Sequence, residues 1–191
     1  MEAALALLLP RLLGGISFAI HPHQGKTDLL AKLPPKLAAY ARWIPVSHRI
    51  VVVVDRDGDV CTKLKQRLAA MGEAAGLTTR SSAGSRWKLL PRLAIEELEA
   101  WYFGDWQAVR AAYPKVKPNV PRKAAYRDPD AIEGGTWEAF ERVLQEAGYF
   151  ATGLRKIEAA RAIAPHLDPA RNTSTSFRCL RDALIEVSRP C

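Results

Sequence analysis

The run Ile50-Val51-Val52-Val53-Val54, followed at once by Asp55-Arg56-Asp57-Gly58, constrains this chain more than any other stretch. An unbroken series of β-branched residues predicts a strand buried on both faces, as in the interior of a parallel sheet. Gly58 predicts a turn, and Asp59 to Leu68 the start of the helix that follows, with Asp59 as its cap. In open α/β sheets, ligands and chemistry collect at the carboxyl ends of strands. Asp55 and Asp57, one residue apart at such an end, can converge hard oxygen ligands on Mg2+ or Mn2+.

Around this junction the elements alternate. Glu2 to Leu13 reads as a helix that Pro10 kinks or ends early, and Gly14-Gly15 breaks it. Ile16 to Ile20 alternates as a strand does. Thr27 is placed to cap a helix from Asp28 to about Trp43, disturbed by Pro34-Pro35, and the helix after Asp57-Gly58 runs to about Ala75-Gly76. Arg86 to Ile95 predicts another strand, with Pro91 suiting an edge or a bulge. From Glu96 onward the pattern is helical: Glu96–Phe103, Asp105–Tyr113, Thr136–Gly148, Leu154–Ala164 and Ser176–Val187. The expected fold is α/β, a parallel-sheet core with a helical C-terminal part. We expect one domain, with the sheet core over about 1–113, a basic linker over 114–127 and the helical part over 128–188.

Hydrophobic residues make up 48% of the 191 residues and charged ones 25%, which excludes a disordered chain. No stretch reaches the roughly 20 apolar residues that a membrane span needs. The apolar run Ala3 to Leu9 is preceded by Glu2 and cut by Pro10-Arg11, unlike a signal peptide. Cys61, Cys179 and Cys191 are scattered, form no zinc pattern and suggest a reducing, cytoplasmic setting. The net charge of +8 makes polyanions such as DNA or RNA natural partners.

A second acidic group, Glu96-Glu97-Leu98-Glu99, precedes Ala100-Trp101. One of its carboxylates can join Asp55 and Asp57 around a metal; the plainer alternative is a solvated acidic first turn favoured by the helix dipole. Lys115, Lys117, Arg122 and Lys123, flanked by Tyr113 and Tyr126, suit phosphate neutralisation and base stacking, or a linker held open by Pro114, Pro118 and Pro121. Gly25-Lys26-Thr27 is not a complete P-loop, because Ile20 stands where that loop needs glycine. Lys26 remains a candidate phosphate contact near a helix start, and so do Lys63 and Lys156. His21 and His23 lack further zinc ligands at recognisable spacing, and Ser174 and Ser176 suit a helix cap.

Together these motifs resemble the Toprim-like proteins grouped as domain-of-unknown-function family 4276. The resemblance rests on Val51 to Asp57, Cys61 and Leu64-Lys65, Glu97-Leu98-Glu99-Ala100-Trp101, and Gly104-Asp105. It continues through Tyr126-Arg127-Asp128-Pro129-Asp130-Ala131-Ile132, Gly134-Gly135-Thr136-Trp137-Glu138, Lys156-Ile157-Glu158-Ala159-Ala160 and Ser174-Thr175-Ser176-Phe177. Toprim domains occur in topoisomerases, primases and nucleases of the overcoming-lysogenization-defect type. The resemblance implies a Toprim-like sheet and Mg2+ (or Mn2+) held by Asp55 and Asp57. Asp55, Asp57, Glu97 and Glu99 would then be catalytic, directly or through water. It also implies anti-phage effector nucleases that work beside an ATPase.

One departure stands out. The family opens with a short apolar strand ending in Glu, whereas Met1-Glu2-Ala3-Ala4-Leu5 corresponds only to the helix after it. Translation starting upstream is the expected explanation, since loss of an inner strand would leave unpaired backbone exposed; loss of a catalytic carboxylate is the other. The expected function is therefore Mg2+-dependent phosphodiester cleavage. The alternative is a catalytically inactive component of a defence complex that binds nucleic acid or an ATPase partner.

Overall fold

The computed structural model describes residues 1–188. The chain forms two compact units: Met1–Ile20 together with Ala94–Cys191, and His21–Leu93.

The His21–Leu93 unit holds the strand-end aspartates. Helix α2 (Gly25–Ala41) leads to strand β1 (Ile50–Asp55), helix α3 (Cys61–Ala74), the short helix α4 (Arg80–Ala83) and strand β2 (Leu89–Ala94). β1 and β2 pair in parallel and are the only strands among the described residues. Val52 and Val54 are buried while Ile50, Val51 and Val53 are partly covered. β1 is thus sealed on one face rather than on both: among the described residues β2 is the strand beside it, and α2 packs against it. A two-stranded sheet has only edges, which is where Pro91 is tolerated within β2. α2 packs on α3 and on β1. Leu29, Leu33 and Leu37, four residues apart on one helical face, anchor α2 and carry it unbroken through Pro34 and Pro35.

Two expectations for this half of the chain fail. Ile16 to Ile20 forms no strand, and Ile16 and Phe18 are 40% and 41% exposed; alternation prepares a strand, but a ladder needs a partner backbone. Thr27 does not cap α2, because the helix already begins at Gly25, and the Asp28 carboxylate accepts from the Gln24 N–H (3.1 Å).

The other unit is all helical. α1 (Glu2–Leu13) contains Pro10 without ending there and packs on α8 (Lys156–Ile163) and α9 (Thr175–Ser188). Helix α5 (Glu99–Gly104) is buried at every position and meets α6 (Trp106–Ala112) and α7 (Thr136–Glu146). Trp101, Tyr102, Phe103, Phe140 and Phe177 fill its core, with Trp101 edge-on to Phe177 at 5.4 Å. The basic 114–127 stretch is folded into short 3-10 turns; Val116 and Val120 are buried, and the Trp106 indole donates to the Lys117 carbonyl (2.8 Å). Ser174 caps α9 as expected, accepting from the Phe177 N–H (3.2 Å). Ser176 instead accepts from the Trp101 indole (3.1 Å) and donates to Asp130 (2.8 Å). Among the described residues, no helix is long and apolar enough to cross a membrane.

Candidate functional site

Asp55 closes β1, and the chain then turns through Asp57 (φ 46) and Gly58 (φ 77), with the Asp59 N–H donating to the Arg56 carbonyl (3.1 Å). Both turn residues are left-handed, a conformation natural to glycine and one that aspartate tolerates better than most side chains do. The turn gathers oxygen atoms around one ammonium. Lys26, the second residue of α2, donates to the Arg56 carbonyl (2.9 Å) and to Asp59 Oδ2 (2.7 Å), and lies 3.3 Å from Asp57 Oδ2. Burial alone would lower the Lys26 pKa, but the bonds and charges of Asp59 and Asp57 outweigh it and hold it above its ordinary 10.5. Asp59 is therefore not the cap of α3. Val60 occupies the cap position without a side-chain bond, and the Asp59 carboxylate is spent on Lys26. Lys63 is exposed on α3.

The second acidic group divides by depth. Glu97 Oε2 accepts from the Trp137 N–H at the start of α7 (3.1 Å), where the helix dipole favours an anion. Glu97 Oε1 lies 3.7 Å from the Lys156 ammonium, which stands 4.5 Å from the centre of the Trp137 ring. Lys156 is the first residue of α8, so its side chain leans past the helix start and can reach both groups. Glu99 is only 3% exposed in the first turn of α5. The reading as a solvated acidic turn thus fails for Glu99, since α6 and α7 cover α5, while Glu96 and Glu97 are partly exposed. In the neighbouring Gly134 to Glu138 motif, Thr136 Oγ1 and Glu138 Oε2 are buried without a hydrogen-bond partner. A side chain at Gly135 would collide with the Glu138 carboxylate.

Each group is thus built within its own unit: Asp57 and Asp59 on Lys26, and Glu97 on Lys156. Lys115 lies over the Tyr149 ring (5.8 Å) and Lys123 over Tyr126 (5.9 Å), while Lys117 and Arg122 are exposed. No three His, Cys, Asp or Glu side chains converge as a metal-binding group among the described residues. His21 is bonded to Tyr40 (2.8 Å) and His23 to Asp28 (3.2 Å).

A model of the family described as "Domain of unknown function (DUF4276)" matches residues 1–185. The chain belongs to this family. No curated protein and no solved structure matches it. The DUF4276 match spans both acidic groups and every basic position discussed above.

Three residues beside the candidate groups were not legible as such: Asp59, Trp137 and Arg155. Asp59 carries an ordinary capping signature, so its bond to Lys26 emerges only when α2 meets the turn. Trp137 has an apolar ring, and its role at Glu97 runs through a backbone N–H that no side-chain pattern encodes. Arg155 stands 5.0 Å from the Phe150 ring and binds Glu158 (2.6 Å). With Leu154, Lys156, Ile157 and Arg161 it lines an open depression of about 670 Å3. Its one signal was the adjacent Arg155-Lys156 pair at a helix start.

Proposed function

We propose that this DUF4276 chain is a Toprim-like, Mg2+-dependent phosphodiester-cleaving protein acting on DNA or RNA. The observation that carries the reading is the matching of acids by lysines. Asp57 and Asp59 share Lys26 after a parallel strand, and Glu97 meets Lys156 at the start of a helix. Carboxylates and lysines side by side suit a reaction that must hold a cation and a phosphate together.

The donor set fits Mg2+. Two carboxylates and the Arg56 carbonyl already hold a cation, the ammonium of Lys26, and Mg2+ needs no more than one or two carboxylates with retained waters. Asp57 would hold the ion there, with Asp55, the last residue of β1, as the second carboxylate that the Toprim resemblance implies. When bound it supplies Lewis-acid stabilisation and acidifies a water. Lys156 would neutralise a phosphate, oriented by Glu97 and the Trp137 ring. Glu97 reaches the surface more readily than Glu99, with its side chain 19% exposed. Lys26, Lys63, Lys115, Lys117, Arg122 and Lys123 would contact the polynucleotide backbone. An anti-phage setting, a cytoplasmic location and an ATPase partner belong to the same reading.

The test is Mg2+-dependent cleavage of single-stranded and duplex DNA and RNA. Asp55→Ala should lower the rate by about a hundredfold or more, because metal-derived stabilisation amounts to several kcal/mol. Full activity in Asp55→Ala, with its circular dichroism unchanged, removes the assignment. The Lys26 ammonium seated on Asp57 and Asp59 favours a second reading, a non-catalytic binding component. That protein would bind nucleic acid with an affinity indifferent to Mg2+ and to Asp57→Asn.

A further inference from the structure

We propose that the end of α2 and the loop after it, Tyr40 to Arg49, dock unpaired nucleic acid, with Trp43 as the ring on which a base stacks. The inference rests on the reading that the ligand is a polynucleotide, and it adds which form is taken, the single strand, and where.

Trp43 departs from the other tryptophans of the chain. Tryptophan is large and apolar and is well buried on average. Trp87, Trp101 and Trp106 are buried and Trp137 is partly covered, whereas Trp43 is 64% exposed. Val46, three residues on, is 86% exposed. A ring left in water forgoes the stabilisation that burial would give it.

The exposure does not come from a loose loop. The Lys88 ammonium donates to the carbonyls of Pro45 (2.8 Å), Val46 and His48 (3.2 Å). Arg49 donates to the carbonyls of Val46 (2.9 Å) and His48 (3.2 Å) as well. At the helix end, the Trp43 and Ile44 N–H groups both donate to the Tyr40 carbonyl (3.1 and 2.8 Å). The Tyr40 ring lies 5.3 Å from that of Trp43, tilted by 56°, and its hydroxyl is bonded to His21 Nε2 (2.8 Å). Tyr40 thus backs Trp43 from one side while solvent meets the rest of the ring. A platform fixed before its ligand arrives lowers the ordering cost of binding.

Charge selects the occupant. From Leu29 to Val54 the chain carries four cations, Lys32, Lys36, Arg42 and Arg49, and no Asp or Glu. Lys32 is held by Asp28 (2.6 Å). Lys36 lies one turn before Tyr40 on the same face of α2, and Arg42, next to Trp43, is exposed. Such a stretch attracts a polyanion. Among polyanions, a single strand also offers flat apolar faces, its unpaired bases, and stacking on an aromatic ring is open to every base. In a duplex those faces are stacked on one another and closed to Trp43. A base on Trp43 with phosphates on Lys36 and Arg42 is the arrangement that results.

The experiment is fluorescence anisotropy of a labelled short oligo(dT) with the full chain, in EDTA so that no metal-dependent cleavage intervenes. A mixed-sequence duplex and vesicles of anionic phospholipid serve as the other two probes. Trp43→Leu should bind oligo(dT) about tenfold more weakly than the native chain, with duplex affinity and melting temperature unchanged. Trp43→Phe, which keeps a ring, should stay within about threefold of the native affinity. Arg42→Ala should lower the salt slope of oligo(dT) binding by about 0.7. Equal oligo(dT) affinity in Trp43→Leu and the native chain overturns the proposal, as does an equal loss on oligo(dT) and duplex. A loss on the vesicles with none on oligo(dT) makes the surface a membrane contact and overturns it too. Trp43-dependent binding without Mg2+-dependent cleavage under any condition would sink the nuclease reading alone. Cleavage with oligo(dT) affinity indifferent to Trp43 would sink this inference alone.

Discussion

Asp105 shows what a single side chain can determine here. Its carboxylate is fully buried and capped by four donors: the Ala108 and Asp168 N–H groups and the Nε and Nη2 of Arg171, the last two at 2.7 and 2.9 Å. Arg171 is 35% exposed and can turn to solvent, but the Ala108 and Asp168 N–H groups would lose their carboxylate acceptor, so Asp105→Ala should destabilise the chain by about 2 kcal/mol in urea unfolding. Tyr113 offers a pH test. Burial, with the nearby Glu158 charge adding to it, pushes its phenol from 10.0 up to about 12. A raised pKa favours the protonated form in the folded chain, so the contribution is present below pH 10 and is lost as pH rises from 10 through about 12. Alkaline absorbance titration of native and Tyr113→Phe chains should show Tyr113 ionising late, and the Phe variant should lose less stability over that window. At this scale the acids Asp55, Asp57, Glu97 and Glu99 could be read as candidates from residue type and spacing. The counter-ions of Asp57 and Glu97 could not, because Lys26 and Lys156 reach them only through folding.

Elements were legible where the burial pattern is local. α1, α6, α7, α8 and α9 fall within a few residues of the periodic apolar stretches, and β1 begins where the β-branched run begins. Segment 16–20 was not legible, because its alternating pattern specifies a face but not the backbone that must bond to it. α5 was read as starting at Glu96 but begins at Glu99, after Glu97 has been drawn to the α7 start. Gly72 in α3 marks a second limit. It looks like a weak point in a helix, yet a side chain there would strike Leu89 of β2, itself fully buried. Gly72→Ala therefore sets a gain in helix propensity of about 1 kcal/mol against overpacking of about 1–3 kcal/mol. The expected net result is a lower melting temperature, and the loss caused by Gly72→Ala should shrink when it is made in a Leu89→Ala background.

For the molecule as a whole, the +8 charge is the property that the proposed function uses most directly. Binding to a single-stranded polynucleotide should weaken linearly with the logarithm of salt concentration. Each phosphate contact removed, by Lys115→Ala, Lys123→Ala or Lys156→Ala in turn, should lower that slope by about 0.7. An unchanged slope in all three variants would move the contact elsewhere on the chain. The sequence by itself determined the class of the protein: a mixed α/β chain in DUF4276, with acids after a β-branched strand and a basic surplus. Those features are written in residue type, period and sum of charge, which need no partner to be read. Only the tertiary structure decided that β1 has a single neighbouring strand among the described residues, that Glu99 is sealed while Glu97 meets Lys156, and that Lys26 takes Asp59 from its helix. Each of these depends on residues far apart in the chain arriving within a few ångströms, and hydrogen bonds and ion pairs carry no mark of their partner until they do.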